Sequence, residues 1–214
     1  MAELLLELFS EEIPARMQAR AAADLQRLVV GELEAAGLKP ENTSAHATPR
    51  RLVLVVDGLP LAQPDASEER RGPRVGAPDK AIAGFAKSAG VEPDQMEQRE
   101  TKKGAFYYAL IESKGRPTAD VIAEIIPQVV RDFPWPKSMR WGASTLRWVR
   151  PLHSVLCLLD GAVVPYEIDG ICSGNTTRGH RFMGPDEFAV TSFDEYQTSL
   201  RAARVMLDRA ERQQ

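Results

Sequence analysis

Apolar residues recur along this chain with two different spacings, and each spacing predicts one kind of secondary structure. The run ELLLELF at residues 3–9 is almost continuously apolar and predicts a buried strand. The run RLVLVVDGL at 51–59 predicts a second strand that ends at an Asp-Gly turn. Between them, apolar positions from Met17 to Ala36 recur at the spacing of one helix face, and Gly37 is a natural stop.

The central part of the chain continues the alternation of helix and strand. Residues 79–89 carry apolar side chains on one helix face, and Gly90 closes that helix. The run AFYYALIES at 105–113 is aromatic and apolar, which is typical of a strand. A further helical pattern begins near Thr118, but Pro127 lies inside it and lacks the backbone N–H of a helix interior. We therefore predict that Pro127 kinks or splits this helix.

The clearest local signal is a β-hairpin at 153–168. Two apolar runs flank Asp160 and Gly161, a residue pair that favours a two-residue type I′ turn. The two strands of a hairpin are antiparallel, whereas the other predicted strands are interspersed with helices. The predicted fold class is therefore α+β, with mixed or antiparallel sheets packed against helices.

Composition along the chain predicts its division into segments. Residues 63–78 are rich in proline, glycine and charge, which predicts an exposed loop. We predict an N-terminal α+β domain over 1–190, either as one body or as two sub-domains with this loop near their boundary. At 191–214, Ser192 and Glu195 form a capping-box pattern that starts a helix. We predict that this helix continues to the end of the sequence and leads into a following domain that is missing here.

Overall composition and charge narrow the class of protein. The chain has 214 residues, of which 43% are hydrophobic and 27% charged, and its formal net charge is −3. These values are typical of a globular protein and disfavour a free-standing, strongly basic nucleic-acid-binding domain. The two cysteines form no disulfide framework, and no apolar stretch reaches the roughly 20 residues of a membrane span. We therefore predict a cytoplasmic protein without a membrane partner.

The sequence contains no pattern of a self-contained active site. It has no GxxxxGK[ST] phosphate-binding loop, no GxGxxG after a predicted strand and no GxSxG nucleophile motif. His46, His153 and His180 are far apart, and the two cysteines lack zinc spacing. We therefore predict no catalytic residue, no metal site and no cofactor in this chain.

Basic residues beside aromatic or polar ones are the remaining candidates for function. They lie in segment 134–151, which holds all three tryptophans, at the start of the strand in 48–56, and in SGNTTRGHRF at 173–182. Guanidinium groups beside aromatic planes suit RNA phosphates and bases. The candidate nucleic-acid-binding residues are Arg50, Arg51, Lys137, Arg140, Arg147, Arg150, Arg178, His180 and Arg181.

Each of these segments also has an interpretation without a ligand. The tryptophans of 134–151 can pack at the edge of a core, with arginines stacked on them and the charged ends in solvent. The arginines of 48–56 can be solvated at a strand end. The polar side chains of 173–182 can satisfy backbone carbonyls and acids inside the fold. Both interpretations stay open for all three segments.

Several motifs, taken in order, resemble one protein family. They are ELFSEEIPARM, TPRRLVLVV, RRGP before KAIAGFAKSAGV, PKSMRWG, WVRPLHSVLCLLDG and SGNTTRGHRFMG. Together they resemble the beta subunit of bacterial glycyl-tRNA synthetase over nearly the whole chain. One departure is the stretch 72–80, which is shorter than the usual connection of the family and fits a variable surface loop.

The resemblance implies a role in a larger enzyme. Such an enzyme joins alpha and beta subunits and attaches glycine to tRNA(Gly), with ATP and Mg²⁺ bound by the alpha subunit. The chain then corresponds to an N-terminal, non-catalytic part of the beta subunit. Its implied partners are the alpha subunit, tRNA(Gly) and the remaining beta-subunit domains. It serves tRNA contact and subunit architecture or, alternatively, architecture alone without RNA contact.

Overall fold

The computed structural model describes residues 1–101 and 104–213 of the chain. The residues group into two compact units. The first unit comprises Met1–Gln63 and Arg116–Gln214, and the second comprises Pro64–Gly115. Along the sequence, the second unit is therefore an insertion in the first.

Strands and helices are intermixed along both units. The strands are β1 (Ala2–Ser10), β2 (Asn42–Thr48), β3 (Arg51–Leu59), β4 (Ala66–Arg74), β5 (Glu97–Thr101), β6 (Gly104–Ser113), β7 (Leu152–Leu159), β8 (Ala162–Val163), β9 (Glu167–Ile168), β10 (Ile171–Gly174), β11 (Thr176–Arg178) and β12 (Glu187–Ala189). The helices are α1 (Ala15–Ala35), α2 (Asp79–Ala89), α3 (Thr118–Arg131), α4 (Phe193–Ala202) and α5 (Arg209–Arg212).

The first unit is built on a mixed sheet in the order β2-β3-β1-β7-β10-β9, with β8 paired to β7. β1 runs antiparallel to both β3 and β7, whereas β10 runs parallel to β7. β11 and β12 form a separate antiparallel pair. Mixed and antiparallel sheets packed against helices confirm the predicted α+β fold class.

The central strand β1 is covered on both faces. Leu4, Leu6 and Leu8 belong to the larger hydrophobic cluster, which also contains the buried side of α1 and α3. Leu5 belongs to a second cluster, to which α4 contributes Tyr196 and Leu200. Because apolar side chains are buried on both sides, the sequence of β1 is continuously apolar rather than alternating.

Helix α3 continues through Pro127, so the predicted split of this helix is wrong. Ile122, Ile126 and Val130 are fully buried on its inner side, and Pro127 itself is buried. Tertiary packing of this apolar side supplies most of the stability of such a helix. It therefore outweighs the single backbone hydrogen bond that proline removes.

The predicted hairpin forms, but its second strand is shorter than expected. Asp160 and Gly161 both have positive φ, 51° and 79°, as a type I′ turn requires. Beyond this turn β8 has only two residues, and the following β9 pairs with β10 instead of β7. Pro165 separates β8 from β9 and has no N–H to continue a strand ladder.

The predicted helix over 191–214 is two short helices, so its continuous form is wrong. Its start is confirmed, because Ser192 Oγ accepts a hydrogen bond from the Glu195 backbone N–H at 3.2 Å. The first helix, α4, ends at Ala202, and Arg204 then adopts a left-handed φ of 64°. The chain turns there because Leu207 packs into the second hydrophobic cluster beside α4.

The second unit corrects the prediction of an exposed loop at 63–78. Residues 66–74 form β4, which pairs with the central strand of a three-stranded antiparallel sheet in the order β4-β6-β5. A register shift between Arg71 and Arg74 accommodates Gly72 and Pro73. A Cβ at residue 72 would lie 2.5 Å from the Phe85 ring of α2, so any other residue there would force this ring to shift. Polarity made β4 resemble a loop because its side chains are mostly exposed.

Candidate nucleic-acid interface

Four separate segments of the first unit meet around one polar cleft of about 450 Å³, here called the basic cleft. They are the end of β1, the turn before β3, the start of β7, and β11 with the loop that follows it. Their side chains in the cleft include Phe9, Arg50, His153, Thr176, Arg178 and Arg181. Three of the predicted candidates, Arg50, Arg178 and Arg181, are thus brought together.

A buried ion pair supports the floor of this region. Glu7 is completely buried, and its carboxylate lies 2.9 Å from Nε of Arg51, which is buried as well. The hydroxyl groups of Thr177 and Tyr196 also donate hydrogen bonds to Glu7, the former at 2.6 Å. Burial raises the pKa of Tyr196 well above its ordinary value, and the charge of Glu7 raises it further. Its hydroxyl therefore keeps its proton and remains a donor.

Arg51 is consequently a structural residue. Its guanidinium donates a hydrogen bond to the backbone carbonyl of Arg178 at 2.6 Å, which ties β11 to the sheet. Since its side chain lies inside the fold, Arg51 is removed from the candidate RNA contacts. The interpretation of a solvated strand end is equally wrong for it.

Beside the basic cleft, one carboxylate contacts three basic side chains. Glu11 Oε1 lies 2.9 Å from His153 Nε2 and 3.7 Å from Arg50 Nη2, and Glu11 Oε2 accepts a hydrogen bond from Arg181. The hydrogen bond with His153 lowers the pKa of Glu11 below its ordinary value, and the charges of Arg181 and Arg50 act in the same direction. Glu11 therefore stays ionised through the neutral range.

Arg50 lies in an unusually cationic position. Its guanidinium is stacked 4.6 Å from the Phe9 ring centroid, and only 20% of its side chain is exposed. Its Nε is buried and lacks a hydrogen-bond acceptor within residues 1–101 and 104–213. Burial lowers the pKa of Arg50 from its ordinary value, and the neighbouring Arg181 lowers it further. Such a group is stabilised by an anion.

Arg178 and Arg181 are both accessible and both paired. The side chain of Arg178 is 58% exposed and forms a 2.9 Å ion pair with Glu187, while Arg181 is bound by Glu11. Exposed ion pairs of this kind are weak, on the order of 0–1 kcal/mol, so an incoming phosphate can compete for the guanidinium groups. Arg178 and Arg181 thus pair with acids of the fold, as one interpretation of 173–182 predicts, and stay accessible to RNA, as the other predicts.

His180 has a different role from its neighbours. Its ring Nδ1 accepts hydrogen bonds from the backbone N–H groups of Phe182 and Met183 at 3.3 and 3.2 Å, and its backbone N–H donates to the Ala203 carbonyl. It does not line the basic cleft but a neighbouring cavity of about 290 Å³. In this structure His180 organises the turn at 180–183.

The segment 134–151 separates into a packed aromatic part and an exposed basic part. Trp148 is fully buried, with its ring centroid 5.0 Å from Phe133 and 4.9 Å from Trp135. Trp148 therefore packs in the core and is inaccessible to RNA bases. The four cations of the segment remain exposed outside the basic cleft: Lys137, Arg140, Arg147 and Arg150.

Comparison with known proteins shows the family to which the chain belongs. The family described as glycyl-tRNA synthetase beta subunit matches residues 4–214. The chain belongs to this family. It is similar to the glycine–tRNA ligase beta subunits of Ruegeria sp. at 58% identity over 217 residues and of Paracoccus denitrificans at 56% over 217 residues. It is also similar to that of Rhodospirillum centenum at 50% over 239 residues.

The chain spans about a third of the length of these beta subunits. All of it is covered in each comparison, against 32% of the Ruegeria and Paracoccus proteins and 34% of the Rhodospirillum protein. The cleft is thus a feature of one part of a beta subunit. Within the described residues, no group of three His, Cys, Asp or Glu side chains is placed to hold a metal ion. The same part of the chain contains no helix with the length and apolarity that a membrane span requires.

The sequence did not indicate Glu11 and His153 as members of this site. Glu11 and His153 are 142 residues apart in the sequence. No spacing rule relates two residues so far apart. The one usable signal was that both lie in motifs by which the chain resembles the beta-subunit family.

Proposed function

We propose that this part of the beta subunit contacts the phosphate backbone of tRNA(Gly) through the basic cleft. It does so within a cytoplasmic glycine–tRNA ligase that also contains an alpha subunit and the remaining beta-subunit domains. Attachment of glycine, with its ATP and Mg²⁺, takes place at the alpha subunit, and this chain contributes no catalytic residue. The observation that carries the proposal is the convergence of Arg50, Arg178 and Arg181 on one cleft.

Phosphate contact is the chemistry that these side chains suit. Guanidinium groups form paired, charge-assisted hydrogen bonds with phosphate oxygens. Contacts to the RNA backbone position the nucleic acid without reading its sequence, and A-form helices are recognised largely through shape and backbone groups. The cleft accordingly contributes affinity and orientation, while discrimination between tRNAs comes from other parts of the enzyme.

The double variant Arg178→Ala/Arg181→Ala tests this proposal in the assembled full-length enzyme. We expect weaker tRNA(Gly) binding and a slope of log K against log salt that is shallower by about one to two, because up to two phosphate contacts are lost. Binding titrations at several salt concentrations measure both quantities. Arg20→Ala/Arg27→Ala removes the same charge from the exposed side of α1 and is the matched control.

Two results would contradict phosphate contact at the cleft. The first is an unchanged tRNA affinity in the double variant that retains its fold by circular dichroism. The second is an equal loss in the α1 control, which would indicate a general charge effect. The same titration with Arg140→Ala/Arg147→Ala measures whether the cations outside the cleft contribute.

Assembly is the second candidate function, and an exposed apolar patch favours it. Phe182 and Met183 are 82% and 66% exposed, and Met206, which is 48% exposed, lines the same neighbouring cavity as Phe182. Adjacent exposed phenylalanine and methionine side chains are typical of protein contact sites. Phe182 and Met206 line this neighbouring cavity and do not line the basic cleft, so both functions are compatible.

The variant Phe182→Asp/Met183→Asp should weaken assembly of the enzyme, because two charges replace apolar contact surface. Sedimentation of mixed alpha and beta subunits is expected to show more dissociated protein at the same concentration. Val163→Asp, at another exposed apolar position, is the control. Unchanged sedimentation in the double variant would contradict assembly through this patch.

A further inference from the structure

Glu11 lies beside the basic cleft and contacts basic side chains of the cleft that would suit an anionic ligand. Its two carboxylate oxygens contact Arg50, His153 and Arg181, which come from three different segments. The Arg181 pair and the His153 pair are both partly exposed to solvent, and 35% of the Glu11 side chain is exposed. One carboxylate therefore offsets the charge of two arginines and also contacts an imidazole.

The backbone around Glu11 is anchored, but its side chain is not enclosed. The Glu11 N–H donates to the Pro151 carbonyl at 2.9 Å, and the Ser10 N–H donates to the Arg50 carbonyl at 2.7 Å. Among residues 1–101 and 104–213, the partners of the carboxylate are these three basic side chains. Because 35% of the Glu11 side chain is exposed, we expect a change of its rotamer to carry the carboxylate into solvent.

RNA phosphates can compete with the Glu11 carboxylate for the basic side chains of the cleft. A partly exposed ion pair contributes on the order of 0–1 kcal/mol, because water and salt screen it. A phosphodiester backbone brings several charges to the cleft at once and releases counterions as it binds. A single free anion has no such multivalent advantage over a carboxylate that is tethered beside the cleft.

We propose that Glu11 is an internal counter-anion of the basic cleft, and that RNA phosphates displace its carboxylate from Arg50 and Arg181. This inference rests on the proposed function of the cleft. It adds a selectivity device: the tethered carboxylate lowers the affinity of the cleft for single anions and is overcome by a polyanion that reaches Arg178 as well. Glu11 is therefore a residue that sets binding selectivity, not a group that holds the RNA.

The variant Glu11→Gln tests the inference, since it removes the charge while preserving the shape of the side chain. In the assembled full-length enzyme we expect tighter tRNA(Gly) binding by on the order of three- to tenfold at low salt. The slope of log K against log salt should become steeper by up to about one, because the cleft binds one more counterion before RNA arrives. Inorganic phosphate should compete with tRNA at lower concentrations than it does in the unmodified enzyme.

Glu12→Gln is the matched control because it removes the same charge one residue away. Its side chain is 68% exposed and lies 3.9 Å from Arg181, a longer distance than the Glu11 contact with His153. We expect less than about a twofold change in affinity, as for a screened surface charge. Glu11→Ala, which shortens the side chain as well, should act in the same direction as Glu11→Gln and covers the case in which the glutamine retains the contacts.

The outcomes separate this inference from the function on which it rests. If both Glu11 variants bind tRNA no more tightly than Glu12→Gln while Arg178→Ala/Arg181→Ala still binds weakly, Glu11 is not a counter-anion and the cleft remains an RNA contact. If the arginine double variant also binds normally, the proposed function fails together with the inference. Tighter binding with an unchanged salt slope would overturn the electrostatic explanation.

Discussion

Replacing Glu7 with alanine is expected to lower the free energy of unfolding by about 3–5 kcal/mol, because it leaves a buried guanidinium without its counter-charge. Arg51 is almost completely buried and pairs with Glu7 at 2.9 Å. The hydroxyl groups of Thr177 and Tyr196 lose their acceptor in the same variant. Urea unfolding followed by far-ultraviolet circular dichroism measures the loss.

Two comparison variants isolate the effect of burial. Glu11→Ala removes a carboxylate from a partly exposed site and should cost less than about 1 kcal/mol. The double variant Glu7→Leu/Arg51→Met removes both charges and should recover part of the loss, since no unpaired charge stays in the interior. Equal costs for Glu7→Ala and Glu11→Ala would show that the pair does not stabilise the fold as we describe.

Replacing Trp148 with alanine should also lower the free energy of unfolding by about 3–5 kcal/mol, because it opens a large cavity in the core. Trp148 has no exposed surface and packs against Phe133 and Trp135. Trp148→Phe keeps most of the volume and removes an indole N–H that has no acceptor among the residues described. It should cost less than about 2 kcal/mol in the same unfolding measurement.

The neighbouring Arg147→Ala is the control, because its exposed side chain should change stability by no more than about 0.5 kcal/mol. A small loss for Trp148→Ala would contradict its role in the core. So would a Trp148→Phe variant of normal stability that binds tRNA weakly, because an RNA contact would then need the indole at the surface.

The elements predicted from sequence were those that bury an apolar side. β1, β3, α1 and α2 are confirmed near their predicted bounds, because burial imposes a pattern that is local in sequence. β2 and β4 escaped prediction because their residues are largely polar or exposed. Backbone hydrogen bonds to a neighbouring strand hold them in place. Such bonds impose little pattern on the types of side chain in the sequence.

The site was predictable only in part. The basic character of 48–56 and 173–182 was visible in the sequence, and the structure brings Arg50, Arg178 and Arg181 to one cleft. The opposing carboxylate of Glu11 was not visible, because nothing local relates it to His153 or Arg181. Ion pairs between distant segments depend on how the strands are stacked, which periodicity does not report.

The adjacent residues Arg50 and Arg51 illustrate the difference between what the sequence predicts and what the tertiary structure decides. By itself the sequence determined the α+β class, the buried segments and the places where basic residues concentrate. Only the tertiary structure decided that Arg50 faces the cleft while Arg51 is buried against Glu7. The physical reason is that Arg51 is covered by a segment distant in sequence. The carbonyl of Arg178, 127 residues later, accepts its hydrogen bond. Burial, and with it the role of a charge, is a property of what packs against a residue.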